Sequence, residues 1–220
     1  MNRIFVIITF ISIAAMLLIN CAPKIVQRKY FLLEYPSILK DSSLVLQEPF
    51  AYKVQIQNMK LPRTYDRTSI VVRYSTHQID YYRYSLWAIR PQILVSDLVA
   101  KHFRAYHLFE MSEREFLDEK PDFEVIGYIN AIEKFENDLY KAAHLSMALY
   151  LRRSSDFDLI VKHEFDRTEE LPTFDMSLFA KKLSDILREE CDIFIGKIIN
   201  YFESQKLQEE TPQTDSFHKK

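Results

Sequence analysis

Proton transfer or metal binding near neutral pH would draw first on histidine, and this 220-residue chain has six: His77, His102, His107, His144, His163 and His218. No two fall four apart, the spacing that sets two imidazoles on one helical face, and neither HExxH nor CxxC occurs. His102, on an apolar helical stripe, reads as a satisfied, partly buried residue. Nucleophilic chemistry would want a serine in a G-x-S-x-G turn or a cysteine beside a base, and neither pattern is present. The two glycines, Gly127 and Gly196, both sit inside predicted elements, so a run of backbone N–H groups cannot be gathered around a phosphate. Paired carboxylates such as Glu169 and Glu170 are ordinary in a chain with 27% charged residues and read as solvated surface. The expectation is a protein that is not an enzyme, with no cofactor and no metal.

The chemistry that the sequence does suggest is covalent lipid attachment. Ile4 to Ile19 is an apolar run of sixteen residues broken only by Thr9 and Ser12, short of the roughly 20 that cross a bilayer as a helix. Arg3 precedes it and Cys21 follows, the layout of a secretory signal. Leu18-Ile19-Asn20-Cys21 resembles a bacterial lipobox, in which a peptidase cuts before a cysteine carrying diacylglycerol, although Asn20 stands where the pattern has Gly, Ala or Ser. Residues 1–20 are therefore expected to be a lipoprotein signal peptide, Cys21 the lipidated residue and 21–29 a tether. A signal anchor kept as a membrane helix and an ordinary cleaved signal are the alternatives. Two acyl chains anchor stably where one does not. The nine residues from Cys21 to Tyr30 reach at most about 30 Å, so the folded part is expected to work close to its membrane. Cys191 then has no partner within the chain and reads as a small buried hydrophobe.

Removing residues 1–20 takes away only Arg3 among the charges and moves the net charge from -2 to -3. With 29 basic and 31 acidic residues the chain lacks the basic field that nucleic-acid binding requires, and no such partner is expected. The remaining 200 residues suffice for one domain with a real core.

The elements that would position any site follow from periodicity. "KYFLLEYP" (29–36), Phe50 to Met59, "TSIVVRYS" (68–75) and "QIDYYRYSLW" (78–87) read as strands, the last two paired as a hairpin. After Pro91 the period changes: Leu94, Val95, Leu98, His102 and Tyr106 share one stripe of a helix over about 91–109. Residues 122–136, 139–151 and 157–165 alternate as three further strands, with Gly127 marking a bulge or a close backbone approach. A long helix from Phe174 to Phe202 carries Phe179, Leu183, Ile186, Leu187, Phe194, Ile198 and Tyr201 inward, with Lys181, Lys182, Asp185, Arg188 and Glu189 outside. The predicted architecture is a single α+β domain over 30–203. Its mostly antiparallel sheet packs against one medium helix and one long C-terminal helix, and a disordered tail follows over 204–220.

The stretch "RYSTHQIDYYRYSLW" (73–87) has the most unusual composition in the domain. It suits both aromatic cross-strand pairing and a protein-binding edge, because Tyr, Trp and Arg concentrate at interface hot spots.

"YFLL" soon after a lipidated cysteine, followed by "VQIQNMKLPRTYDRTSIVVRYSTHQIDYYRYSLWAIRPQILVSDLVAKHF", resembles the ABC-type transport auxiliary lipoproteins of the PqiC-like group. The matching positions are Leu61-Pro62, Tyr65-Asp66-Arg67, Ile70 to Arg73, and Arg83, Trp87 and Pro91. Trp87-Ala88-Ile89-Arg90-Pro91 departs from the family's Trp-Ala-Glu-Pro by one extra residue and a missing acid. The match covers roughly residues 30–108. The resemblance implies a non-catalytic periplasmic subunit anchored by lipid to the outer membrane. Its partners would be an MCE-domain protein, an integral permease and a cytoplasmic ATPase that together move lipid between membranes. Leu61, Pro62, Asp66, Arg67, Arg83 and Trp87 become the candidate partner-interface residues, and a homo-oligomer is expected because such assemblies are usually symmetric. The alternative is a periplasmic lipoprotein that binds lipid itself or assists outer-membrane assembly.

Replacing the proposed lipid acceptor, Cys21→Ala, should release the protein from membranes on fractionation. Mass spectrometry that found Met1 still attached to the mature product would exclude the lipoprotein reading.

Overall fold

The computed structural model describes residues 3, 26–35, 44–137, 140–173 and 175–210; the apolar run, Cys21 and the last ten residues lie outside them. Among the described residues the order is β1 (Lys29–Phe31), β2 (Phe50–Ile56), β3 (Ser69–Ser75), β4 (Gln78–Trp87), α1 (Pro91–Ala105), β5 (Phe109–Glu113), β6 (Phe123–Glu136), β7 (Lys141–Arg153), β8 (Leu159–Glu170) and α2 (Met176–Glu210).

β6 is the frame of the sheet. One edge pairs antiparallel with β7 along the full length, from Phe123 opposite Arg153 to Glu136 opposite Lys141, and β7 pairs antiparallel with β8. The other edge is shared by two strands lying end to end. Val54–Ile56 of β2 run parallel to Phe123–Val125, Lys60 bridges to Tyr128, and Val71–Arg73 of β3 run parallel to Glu133–Phe135. β5 joins β2 in parallel, β4 joins β3 as the expected antiparallel hairpin, and β1 lies parallel on β4.

The fold class is α+β with one medium and one long helix, as expected, and the longest pairings of the sheet are antiparallel, while shorter parallel pairings make it mixed rather than purely antiparallel. Alternation with period two shows that a segment is a strand and which face it buries; it carries no information about the direction of the neighbour. Here β2 and β3 both run parallel to β6, β5 runs parallel to β2, and β1 runs parallel to β4, each pair being separated in the chain by intervening elements rather than by a tight turn.

Both helices cover one face of the sheet, and their stripes are the ones the sequence predicts. Leu94, Val95, Leu98, His102 and Tyr106 are buried on α1, as are Phe179, Leu183, Ile186, Leu187, Phe194 and Ile198 on α2, against Leu145, Met147, Leu149 and Leu151 of β7. Aromatic contacts mark the course of α2 across the sheet. Phe179 meets Trp87 at 5.9 Å, Phe194 meets Phe103 at 6.1 Å, and Phe202 meets Phe50 at 4.8 Å. Among the described residues no helix is long and apolar enough to cross a membrane.

Two boundaries and the burial of one side chain differ from expectation. α1 stops at Ala105 because His107 adopts φ 48°, and the chain turns at once into β5, a five-residue strand too short to show a period. α2 continues through residues 204–210, where Gln, Lys, Leu and Glu favour helix, so the expected disordered tail does not begin at 204. Arg188, placed outside the apolar stripe by its type, is buried, as a long stem beside apolar neighbours allows.

Each helix also satisfies a backbone donor that no strand reaches. The Met59 N–H donates to Ser96 Oγ at 2.9 Å, and the Glu34 N–H donates to Ser184 Oγ at 3.0 Å. Both hydroxyls donate in turn to the carbonyl four residues earlier on their own helix.

Gly127 is a close approach. A Cβ there would stand 2.3 Å from Met59 Sδ and 3.0 Å from the Ala148 carbonyl oxygen. Gly127→Ala should therefore lower stability by about 1–3 kcal/mol, read as a shift in the denaturation midpoint; an unchanged midpoint would mean that Met59 repacks without cost.

Candidate functional site

Of the positions that carry the family resemblance, Leu61-Pro62, Tyr65-Asp66-Arg67 and Ile70 to Arg73 lie at the junction between β2 and β3 and along β3. After Lys60 the chain leaves β6 for a loop over 61–68. The Tyr65 N–H donates to the Pro62 carbonyl at 3.0 Å, a turn that brings the buried Tyr65 back toward the sheet. Its hydroxyl donates to Glu133 Oε2 at 2.7 Å. Arg73 Nε donates to Glu133 Oε1 at 2.6 Å, and Arg73 Nη2 reaches the Tyr65 hydroxyl at 3.4 Å. Glu133 is 1% exposed, so Tyr65, Arg73 and β6 close on one buried carboxylate.

His144 on β7, directly opposite Glu133, extends this cluster. Its Nδ1 lies 3.3 Å from Glu133 Oε1 and its Nε2 lies 2.8 Å from Asp166 Oδ1 on β8. Both ring nitrogens face carboxylates and both must donate, which favours the imidazolium. Burial alone would lower the pKa of His144, but the hydrogen bonds to Glu133 and Asp166 outweigh it and hold the value above the usual range. Burial would raise that of Glu133, and the hydrogen bonds from His144, Arg73 and Tyr65 overcome this and bring it down to about 2. Burial, with the bond to Glu133 added, pushes the Tyr65 phenol up to about 12.

On the helix-covered face of the same strand, the buried Lys134 donates to Glu136 Oε2 at 2.7 Å and to the Tyr82 hydroxyl at 3.1 Å. Glu133 and Lys134 thus fix the end of β6 from opposite faces, one toward β3 and β7 and the other toward β4.

The hairpin that these clusters support is irregular. Between the Val71–Tyr81 and Ser69–Leu86 pairs β3 advances two residues and β4 five, leaving three residues of β4 extra. Arg83 and Tyr84 are exposed within this bulge, the kind of feature that re-aims side chains. Next to it Arg67 lies 3.9 Å over the Tyr81 ring. Asp66 accepts from Arg90 Nη1 at 3.0 Å and Gln92 Nε2 at 3.3 Å, tying the loop to the start of α1.

The sequence-predicted interface residues separate accordingly. Pro62, Asp66, Arg67 and Arg83 are exposed along the loop and hairpin, and Leu61 is half-buried against the core. Trp87 corrects the expectation: at 1% exposed and packed on Phe179 it belongs to the core, and only its backbone N–H, donating to the Thr68 carbonyl at 2.7 Å, touches the loop. Cys21 lies outside the described residues. Glu133 and His144 were not anticipated. An irregularity between Ile129 and Ala131 shifts the phase of β6 just before Glu133, so no alternation pattern could have identified it.

His102, 0% exposed, is satisfied by the Tyr35 hydroxyl and Asp192 Oδ1, each at 2.8 Å. His163 is buried between Glu190 at 2.7 Å and Lys197 at 3.0 Å. Among the described residues no group of three His, Cys, Asp or Glu side chains is placed to hold a metal ion.

No family model matches the sequence, and no curated protein matches it. Solved structures do. The chain is similar to the crystal structure of protein XCC0632 from Xanthomonas campestris, described as DUF330, at 15% identity with a TM-score of 0.61, covering 81% of this chain and 98% of that one. It is similar also to the crystal structure of an uncharacterized protein at 14% identity with a TM-score of 0.60, covering 78% of this chain and 99% of that one. At these identities the likeness is one of fold, and the described residues share the fold of the DUF330 protein.

Because Glu133 is depressed, its contribution to stability is complete above the ordinary glutamate value of 4.5 and is lost as pH falls toward 2. His144, raised, contributes fully below its ordinary 6.5 and loses that contribution as pH rises through its folded value. Glu133→Gln should cost about 3 kcal/mol near neutral pH by leaving Arg73 without its carboxylate. In urea denaturation series the gap between wild type and variant should narrow as pH falls from 4.5 toward 2. A gap independent of pH would show that the clamp does not depend on the carboxylate charge.

Proposed function

We propose that this chain is a non-catalytic, lipid-anchored periplasmic subunit that docks an MCE/ABC-type lipid transport assembly at the outer membrane. The observation that carries the proposal is the convergence of the family-like positions. Tyr65 and Arg73 grip Glu133, Asp66 grips the start of α1, and the loop and hairpin so held present Arg67, Arg83 and Tyr84 outward. Residues that would be scattered in an unrelated chain form one support and one exposed edge. Tyrosine and arginine on a rigid edge are the side chains that dominate protein interfaces. The shared fold with the DUF330 protein supports the same reading.

In this role the ATPase and permease of the same system would do the chemical and translocation work, with an MCE-domain protein as the direct contact. A symmetric homo-oligomer would multiply one hairpin edge into a ring of equivalent contacts.

Affinity purification of the tagged protein from envelope extracts should recover an MCE-domain protein. The double substitution Arg83→Glu with Tyr84→Ala should lower that recovery at least about tenfold without moving the thermal midpoint, since both residues are exposed. Failure of the wild-type protein to retain any MCE-domain protein would refute the docking role. Full retention by the double variant would move the contact elsewhere on the surface.

A further inference from the structure

A cleft of about 610 Å³ opens between the last turns of α2 and the end of the sheet where β2, β6 and β7 terminate. That volume is within the roughly 300–1,000 Å³ of small-molecule sites. Phe123 and Phe202 form its floor, with ring centroids 5.4 Å apart. Tyr52 and Tyr201 flank it, and Tyr52, 39% exposed, packs edge to face on Phe123 and tilted on Phe202. These rings are held from below by the core, so the faces left open to the cleft are preorganised.

The remaining lining is polar and mixed in kind. Ser154 Oγ is buried and has no hydrogen-bond partner among the described residues, a state that costs about 1–3 kcal/mol unless a bound group meets it. Lys120 and Arg153 set two cations on the rim; Arg153 commits Nη1 to Asp156 at 2.7 Å and keeps the rest of its fork. Opposing them, Asp122 already accepts the Lys53 N–H at 2.8 Å. Gln205, near the end of α2, adds an amide that both donates and accepts.

We infer that this cleft binds an acidic sugar. An acyl chain would favour an enclosed apolar tunnel, whereas this site is open and divides its lining between ring faces and hydrogen-bonding groups. A pyranose divides its own surface in the same way. Its C–H face suits the electron-rich face of a tyrosine ring, and its rim of hydroxyls suits Ser154, Asp122 and Gln205. Lys120 and the part of the Arg153 fork not taken by Asp156 supply cationic donors on the rim that a sugar carrying a carboxylate or phosphate would take as charge-assisted hydrogen bonds. The site lies at the opposite end of α2 from the Trp87–Phe179 contact beneath the hairpin, and it stands independently of the docking proposal.

The test is a titration of the purified protein with D-glucuronate, N-acetylmuramate and glucose 6-phosphate, followed by ligand-observed NMR, with D-glucose and laurate as comparators. Saturable binding of at least one acidic sugar is expected, weaker for glucose. Lys120→Glu and Tyr201→Ala should each weaken it by about tenfold, the scale of one charge-assisted hydrogen bond or one stacked ring. Lys120→Glu changes an exposed side chain and should leave the melting temperature unchanged, which separates loss of the site from loss of the fold. Absence of saturable binding by all three acidic sugars, equal affinity for glucose, preference for laurate, or binding that survives both substitutions would overturn the assignment.

Discussion

A fourteen-residue strand offers more backbone hydrogen-bonding groups along one edge than a seven-residue neighbour can meet. The architecture follows from how β6 resolves that shortage. β2 takes the first part of the edge, β3 takes the last, and the 61–68 loop steps away between them. Two collinear strands on one edge have no backbone bond to each other. Their junction must be secured by side chains, and Glu133 does this by accepting from Tyr65 in the loop and Arg73 in β3.

The junction also explains why Glu133 and Lys134 are buried at this end of the sheet. A buried ion pair is a weak source of net stability, because desolvation cancels much of the attraction, but breaking one is costly. Such pairs therefore act best as conditions on geometry. Glu133 is comfortable only when the loop, β3 and β7 are all in place, and Lys134 only when Tyr82 and Glu136 are. These conditions fix the register of the hairpin that carries Arg83 and Tyr84.

Much of this was legible in the sequence. The hairpin, the two helices and their inward stripes all follow from period and from Pro91, since burial of one face imposes the period directly. The sheet's mixed direction was not, because parallel pairing depends on where a crossover returns the chain. Glu133 was hidden for another reason: one irregularity in β6 near Asn130 inverts the faces that follow, so alternation counted from Phe123 places it wrongly. Trp87 misled both by composition and by its place among the positions that carry the family resemblance. A tryptophan in a Tyr- and Arg-rich stretch suggests a surface anchor, yet the turn of the chain toward Pro91 brings it under Phe179.

β1 is only three residues long, and its attachment has a mechanical meaning. The strand holds β4 by few bonds, but the segment just after it is fastened to both helices, through the Glu34 N–H on Ser184 and the Tyr35 hydroxyl on His102, itself braced by Asp192. Tension arriving from the chain ahead of Lys29 can peel β1 away cheaply, then meets a knot buried between α1 and α2. A pull on that segment would thus be taken up by the helices, and the sheet with its hairpin would be spared the load.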